Sequence, residues 1–100
     1  MTQVIRIADI ADYVGQEVTI KGWVYAKTGK GRLQFVRVRD GSGQVQCVAF
    51  KKEIDPEYFE VAKALTQESS VIITGEVRAD ERAEGYPNGF EVGLKTVELL

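Results

Sequence analysis

The first half of the sequence alternates apolar and polar side chains with a period of two, and glycine-rich segments interrupt it twice. This period places alternate side chains on opposite faces of a β-strand and predicts strands over 17–27, 32–39 and 44–50. Asp40-Gly41-Ser42-Gly43 is a strong hairpin signal, because Asp-Gly tolerates a positive φ. Thr28-Gly29-Lys30-Gly31 also has turn composition. These residues therefore predict an antiparallel meander of three strands.

The rest of the sequence predicts two short helices and two further strands. Apolar residues recur every three to four positions over 7–14, and Gly15 stands where a helix-terminating glycine belongs. A second helix is predicted from about 56 to 65, after an N-cap aspartate and a first-turn proline. Alternation returns over 70–79 and again from Gly89 to the end of the chain.

The predicted order is helix, three strands, helix, two strands. This is the order of the OB-fold, an all-β, five-stranded Greek-key barrel that commonly binds oligonucleotides. The 100 residues predict one domain, with a helical extension over 1–15 and the barrel over 16–100. An α+β sandwich has the same element order, but glycines inside the strands favour the tight bends of a small barrel.

The residue inventory argues against most catalytic chemistry. Histidine is absent and Cys47 is the single cysteine, so no Cys–His pair or zinc cluster is expected. Gly29-Lys30-Gly31 lacks the spacing of a phosphate loop. We therefore predict no catalytic residue, no metal and no cofactor. Cys47 is expected in the core and fits a reducing compartment such as the cytoplasm. No membrane span is expected, because no run approaches about 20 apolar residues.

The predicted meander has two unequal faces. One carries small or branched apolar residues that suit a barrel interior. The other mixes rings, cations and amides, namely Trp23, Tyr25, Phe35, Arg37, Arg39 and Gln46. Aromatic rings stack unpaired bases while cations neutralise phosphates, so this face suits single-stranded nucleic acid. Outward rings can instead pack under the first helix or against another domain. The pattern favours that structural role for Trp23, leaves Phe35 open, and favours a solvated strand amide for Gln46.

Charge is unevenly distributed along the sequence. The net charge is −2, which on its own argues against a nucleic-acid partner. However, six basic residues and no acidic residue lie between Lys21 and Arg39, whereas acidic residues predominate between Glu53 and Glu68. A basic stripe is the electrostatic signature of a nucleic-acid binder. The distribution of charge therefore favours nucleic-acid binding, although the net charge argues against it.

These segments resemble a known family. Gly22-Trp23-Val24, then 35–43 and Val45-Gln46-Cys47-Val48, are similar to the N-terminal anticodon-binding domain of class IIb aminoacyl-tRNA synthetases, the aspartyl, asparaginyl and lysyl enzymes. The run from Leu65 to Ala83 resembles the asparaginyl enzyme most closely. The resemblance implies an OB-fold that binds the anticodon loop of a tRNA, tRNA-Asn first among the candidates.

The resemblance also implies residue roles. Phe35 matches the aromatic residue that stacks on the central anticodon base, a uridine, and Gln46 matches the glutamine that reads it. Glu91 matches the carboxylate that contacts the first anticodon base, a guanosine. The loop from Asp80 to Asn88 is our candidate for reading the third base. Tyr25 and Arg37 belong to the same predicted face.

The sequence departs from the family in two respects. Aspartyl enzymes often carry several arginines in the first hairpin, where this chain has 25–28, so Lys27, Lys30 and Arg32 are left as predicted phosphate contacts. Family members also carry a catalytic domain after the barrel, and this chain ends at Leu100. We therefore expect a non-catalytic module, as an excised piece, a free-standing relative or an engineered domain, which is monomeric or weakly associated. The equivalent aspartyl or lysyl domain, a general single-strand binder and a protein-docking domain remain alternatives.

Overall fold

The computed structural model describes residues 2–100 and is built mainly of β-strands. A 3-10 helix covers Ile7–Tyr13 and helix α1 covers Pro56–Ala64. The strands are β1 (Gln3–Val4), β2 (Glu17–Lys30), β3 (Leu33–Arg39), β4 (Gln44–Phe50), β5 (Ser70–Ala79) and β6 (Phe90–Leu99). Within residues 2–100, neither helix has the length and apolar character needed to cross a membrane.

Strands β2 to β6 close into a barrel, which confirms the predicted OB-fold. The sheet order is β2-β3-β4-β6-β5, and β5 pairs back with β2. Strand β6 pairs parallel with β4 and antiparallel with β5, so the last strand inserts between its two predecessors. Two glycines permit close strand crossings, since a Cβ at Gly22 would lie 2.3 Å from the Arg39 carbonyl oxygen and one at Gly75 2.3 Å from that of Gly93.

Small branched side chains fill the barrel interior, as the alternation predicts. Val36, Val38, Val45 and Cys47 are each at most 1 % exposed. Helix α1 contributes Phe59 and Ala62 to the same core. Branched residues suit this interior because they pack well between pleated strands and have few rotamers to lose. The predicted core role of Cys47 is confirmed by its complete burial.

The N-terminal segment differs in one respect from the prediction. The helix is present, and Gly15 has the expected positive φ of 84°. The short strand β1 precedes it and pairs parallel with β2 at Val18 and Thr19. This pairing covers Thr19, which the alternation places on an outward face but which is only 8 % exposed. Two residues are too few to show a strand period, so the sequence could not reveal β1.

The turn between β3 and β4 also holds the 3-10 helix in place. The Asp40 carboxylate accepts hydrogen bonds from the backbone N–H of Ile7 (2.9 Å), Ser42 (2.8 Å) and Gly43 (3.2 Å). The Ala8 N–H donates to the Ser42 hydroxyl at 3.1 Å. The first N–H groups of a helix lack intrahelical partners, and here the turn supplies acceptors for two of them. The 3-10 helix is thus capped from a distant part of the chain.

Helix α1 begins and ends close to the predicted positions. Asp55 occupies the N-cap position and Pro56 the first turn, yet the Asp55 side chain makes no capping hydrogen bond. At the other end the Lys27 ammonium donates to the Lys63 carbonyl oxygen at 2.5 Å. A cation at a helix C-terminus is favourable because the unpaired carbonyl groups carry partial negative charge. Lys27 therefore links the helix to β2.

Candidate nucleic-acid interface

A β-bulge in β2 changes which of its residues share a face. The pairing with β3 runs from Val24–Val38 directly to Ala26–Arg37, so Tyr25 has no partner on β3. A bulge adds one residue to one strand and shifts the alternation beyond it. The regular alternation over 17–27 predicts that Tyr25 and Lys27 share a face, and this prediction is wrong beyond the bulge. Lys27 instead pairs with Val36, whose side chain is buried in the barrel.

Four polar side chains that are distant in sequence form one row across the outer face of the barrel. Arg37 on β3 pairs with Gln46 on β4, Gln46 with Glu91 on β6, and Glu91 with Arg78 on β5. Directly paired residues project to the same face, about 5 Å apart across neighbouring strands. Three predicted site residues thus meet on one face, because β6 inserts beside β4. We call this set the polar row.

Phe35 lies one step along β3 from the polar row, on the same face. It pairs with Val48 on β4, and Val48 pairs with Gly93 on β6. A Cβ at Gly93 would lie 2.4 Å from an Nη atom of Arg78, so that guanidinium lies over the glycine backbone. Phe35 and Val48 are half-buried, which leaves an apolar platform about 7 Å from the polar row along β3.

Arg78 is a member of this surface that the sequence pattern did not single out. Its guanidinium lies 3.6 Å from both Glu53 and Glu76, and it pairs across the sheet with Glu91. It thus brings positive charge beside two predicted base-reading positions. The available signal was the alternation of β5, which places Glu76 and Arg78 outward on either side of the buried Val77.

The basic residues of the predicted stripe have different environments. Lys30 and Arg32 are exposed beside the tip of the β2–β3 hairpin, where β2 extends to Lys30 and the chain reverses at Gly31 and Arg32, later than predicted. Arg37 lies 3.9 Å from Glu84, and Lys27 is bonded to helix α1. Of the predicted phosphate contacts, only Lys30 and Arg32 beside the hairpin tip are therefore directly exposed to solvent.

The loop between β5 and β6 reaches the start of β4. Its Asp80 carboxylate accepts a hydrogen bond from the Arg82 N–H at 3.0 Å, and the Asn88 amide oxygen accepts one from Gly85 at 3.2 Å. Tyr86 exchanges two backbone hydrogen bonds with Gln44, at 2.8 and 2.9 Å. The loop proposed to read a base is thus attached beside the outer face, and its role remains a prediction.

The single cysteine of the chain, Cys47, is buried in the barrel interior rather than presented on the outer face. Burial, with a smaller contribution from the negative charge of Glu91, strongly raises the pKa of the Cys47 thiol, which is therefore protonated at neutral pH. Among residues 2–100, no three or more His, Cys, Asp or Glu side chains are grouped so that they could hold a metal ion. The geometry supports recognition through stacking, hydrogen bonding and charge.

Known proteins similar to this chain carry the same domain. Asparagine–tRNA ligase of Chloroflexus aurantiacus is 57 % identical over 94 residues, which cover 94 % of this chain and 21 % of that protein. Asparaginyl-tRNA synthetase from Pyrococcus horikoshii superposes with a TM-score of 0.86 at 39 % identity, covering 100 % of this chain and 23 % of that one. The chain thus spans about a fifth of the length of these relatives.

A protein much shorter than these synthetases has the same barrel architecture as this chain. The OBody AM3L09, solved bound to hen egg-white lysozyme, superposes with a TM-score of 0.85 at 26 % identity, covering 100 % of this chain and 96 % of that one. The sequence model of the tRNA anti-codon family, an OB-fold nucleic acid binding domain, matches residues 18–100. The match includes all eight predicted site residues, and the chain belongs to this family of OB-fold nucleic acid binding domains.

Proposed function

We propose that this chain binds the unpaired anticodon loop of a tRNA, with tRNA-Asn as the preferred partner, and that it is the non-catalytic binding module of an asparaginyl-tRNA synthetase-type protein. The polar row beside Phe35 carries the proposal. Phe35 stacks the central uridine, Gln46 reads its edge, and Glu91 accepts hydrogen bonds from the preceding guanosine. Amide and carboxylate groups can read these edges because loop bases are unpaired.

The charge arrangement supports a single-stranded partner. Lys30 and Arg32 lie beside the hairpin tip and provide phosphate contacts, while Arg37 and Arg78 flank the base-reading residues. The ion pairs of Arg37 and Arg78 are exposed, so rearranging them to admit a phosphate costs little. ATP-dependent ligation of asparagine belongs, in this proposal, to a separate catalytic domain. The free, buried thiol of Cys47 supports a cytoplasmic location, which we also propose.

A titration with anticodon stem-loops tests the proposal. We expect the wild-type chain to bind a loop with the anticodon GUU more tightly than one with a replaced central uridine. Phe35→Ala should weaken binding by about 1–3 kcal/mol, the usual effect of removing one stacking ring. Tyr58→Ala is the control, since Tyr58 is half-buried on α1 and lines a groove with the end of β6, away from the polar row. Circular dichroism verifies that both variants are folded.

The same titration distinguishes the alternatives. Equal affinity for all central bases would indicate a general single-strand binder. Unchanged affinity of folded Phe35→Ala would remove Phe35 from the site. Chemical-shift changes confined to regions away from β3, β4 and β6 would instead favour a domain that docks another protein. Loops with the anticodons GUC and UUU compare the aspartate and lysine alternatives, and tighter binding of either would overturn the preference for tRNA-Asn.

A further inference from the structure

An apolar groove lies between helix α1 and the end of β6, on a part of the barrel that the polar row does not reach. It has a volume of about 550 Å³, within the range of roughly 300–1,000 Å³ that is typical of ligand-binding clefts. One wall is formed by Tyr58, Val61 and Leu65, and the other by Val97 and Leu99. We call it the α1–β6 groove.

Helix α1 carries more apolar surface than the barrel core covers. Phe59 and Ala62 are buried in that core. Tyr58, Val61 and the C-cap residue Leu65 are spaced by three and four positions and therefore form a second stripe along one side of the helix. Tyr58 and Val61 remain half-buried, because the groove lies beside them. The second stripe is thus open to a ligand.

The end of β6 continues this apolar surface. Leu99 lies two residues after Val97, so both side chains project to the same face of the strand. Val97 is buried, whereas Leu99 is 60 % exposed. A single exposed leucine is common, but Leu99 lines the same groove as the stripe on α1. Contiguous exposed apolar surface of this kind marks an interaction site.

The backbone of Leu99 is available for hydrogen bonding on the side of the groove. Leu100 donates to the Ser70 carbonyl at 2.9 Å, so these opposite residues are a hydrogen-bonded pair of the β5–β6 ladder. Such pairs alternate along antiparallel strands, and the N–H and C=O of Leu99 therefore point away from β5. On that side β4 pairs with β6 only as far as Gly93, so within residues 2–100 no strand bonds to the backbone of Leu99.

The rim of the groove is acidic. Glu57 on α1 and Glu98 on β6 both line the groove, one on each wall, and both are exposed. In the part of the chain that the structure describes, neither carboxylate has an ion-pair partner and no basic side chain lines the groove. Apolar walls with an unpaired acid on each side complement a ligand that combines apolar and cationic groups.

We propose that the α1–β6 groove binds an extended segment of a partner protein in which large apolar residues alternate with lysine or arginine. The segment lies beside the free edge of β6 and exchanges backbone hydrogen bonds with Leu99. Its apolar side chains enter between Tyr58 and Val61 on one wall and Leu99 on the other. Its cations reach Glu57 and Glu98. Addition of an extended peptide to an open sheet edge is a recurring mode of peptide recognition.

This site is separate from the surface proposed to bind RNA. Glu98 lies seven residues along β6 from Glu91, which corresponds to about 20 Å. The acidic rim also repels a polyanion, whereas Lys30 and Arg32 attract one. We therefore expect the chain to bind a basic peptide and an anticodon stem-loop at the same time.

A designed hexapeptide tests the groove. We expect fluorescein-labelled Lys-Leu-Lys-Val-Lys-Leu, amidated at its C-terminus, to bind the full chain in an anisotropy titration and to shift the NMR signals of Tyr58, Val61 and Leu99. Analogues with glutamate at each lysine, or with serine at each apolar position, should bind much more weakly. Failure of the hexapeptide to bind, or equal binding of the glutamate analogue, would overturn the proposal.

Variants of the two walls measure the apolar contribution. Leu99→Ala should weaken peptide binding by about 5- to 50-fold, the equivalent of one to three buried methylene groups. Val4→Ala is the matched control, because Val4 is also an exposed apolar residue on a strand but lies outside the groove. An equal effect of these two variants would contradict the assignment.

Variants of the rim measure the contribution of charge. Glu57→Gln combined with Glu98→Gln should weaken peptide binding by about 2- to 30-fold, the usual effect of two exposed ion pairs. Glu60→Gln is the control, since Glu60 is exposed on the same helix and does not line the groove. Added salt should reduce the difference between wild type and the double variant. No difference at low salt would exclude the rim from binding.

Hydrogen exchange tests strand addition directly. The Leu99 amide should exchange more slowly when the peptide is bound, because its N–H then has an acceptor. Peptide binding without this protection would overturn the proposed pairing with β6. Self-association that increases with concentration and is lost in Leu99→Ala, measured by sedimentation, would show that a second copy of the chain occupies the groove instead of a partner protein.

The groove and the RNA site are distinguished by opposite effects. Tyr58→Ala should weaken binding of the peptide and leave binding of the stem-loop unchanged, whereas Phe35→Ala should do the reverse. Displacement of the peptide by the stem-loop would contradict two separate sites. If the chain binds the peptide but no stem-loop, the proposed RNA function fails and the groove assignment stands.

Discussion

The two hairpin turns flanking β3 differ in how they are held. Both contain a glycine with positive φ, 60° at Gly31 and 90° at Gly41. At the β3–β4 turn, the Asp40 carboxylate and the Ser42 hydroxyl accept hydrogen bonds that reach the 3-10 helix. At the β2–β3 turn, the contact from outside the hairpin is a backbone hydrogen bond from Lys51 to Arg32.

This difference separates a structural turn from a binding turn. Side chains of the β3–β4 turn are used to join two parts of the fold, so changing them must affect stability. Side chains beside the β2–β3 turn point to solvent and are available for a ligand. The comparison predicts that mutations at one turn change the free energy of unfolding and mutations at the other change binding.

The largest effect on stability is expected at Asp40. Asp40→Ala removes the acceptor of four hydrogen bonds and should lower the free energy of unfolding by about 2–3 kcal/mol, as for caps and charge-assisted bonds. Urea unfolding provides the measurement. Asp80→Ala is the control, because Asp80 makes a similar local turn that does not reach another element. Equal losses of stability for the two variants would contradict the comparison.

The contribution of Asp40 should also depend on pH. Burial alone would raise the pKa of Asp40, but hydrogen bonds from Ser42, Ile7 and Gly43 outweigh it and hold the pKa below 3.8. A carboxyl with a depressed folded pKa stabilises the fold above its unfolded pKa and loses that contribution as pH falls through the folded value. The stability difference between wild type and Asp40→Asn should therefore be largest near neutral pH and shrink below 3.8. A difference that grows on acidification would contradict the assignment.

Alanine at either turn glycine should lower the free energy of unfolding by a smaller amount, which is similar for the two positions. An added Cβ meets no heavy atom within 4 Å at Gly31 or Gly41, so alanine at either position brings only backbone strain. Gly31→Ala and Gly41→Ala should each lower the free energy of unfolding by about 1–2 kcal/mol. A clearly larger decrease for Gly41→Ala would show that this backbone change also disturbs the Asp40 hydrogen bonds.

The smallest effect on stability is expected beside the hairpin tip. Lys30→Gln with Arg32→Gln should change the free energy of unfolding by less than about 0.5 kcal/mol, because both side chains are exposed. A plot of the logarithm of stem-loop affinity against the logarithm of salt concentration should become shallower. Its slope should change by about 0.7 for each phosphate that the variant no longer neutralises. Lys52→Gln, also exposed but outside the hairpin, should leave this slope unchanged. An unaltered slope in the double variant would exclude the tip from binding.

The sequence predicted the barrel because burial is periodic within each strand. Every second residue of β3 and β4 is buried, as the alternation requires. The bulge at Tyr25 could not be predicted, because the order of apolar and polar residues in β2 does not mark it. It nevertheless moves each later side chain of β2 to the opposite face of the sheet. For this reason the face assignment of Lys27 was wrong and that of Phe35 on the partner strand was correct.

The candidate site was predictable only in part from the residues. Phe35, Arg37 and Gln46 lie in one hairpin, so local alternation places them together. Glu91 joins them through the parallel pairing of β4 with β6, which no short-range pattern encodes, and it was identified through the family resemblance. Tyr86 reaches the start of β4 through two backbone hydrogen bonds with Gln44, a contact between residues that are far apart in the sequence. Such a contact is invisible to any periodic pattern.

The length of β2 has a consequence for self-association. Its first part pairs with β5 up to Trp23, whereas within residues 2–100 no strand pairs with the same edge beyond Val24. An open edge can recruit a strand from a second copy of the chain, which leads to sheet extension. Here the bulge at Tyr25 bends the edge, and Lys27 and Lys30 add charge along it. These features disfavour edge-to-edge pairing and leave the hairpin accessible to a polyanion.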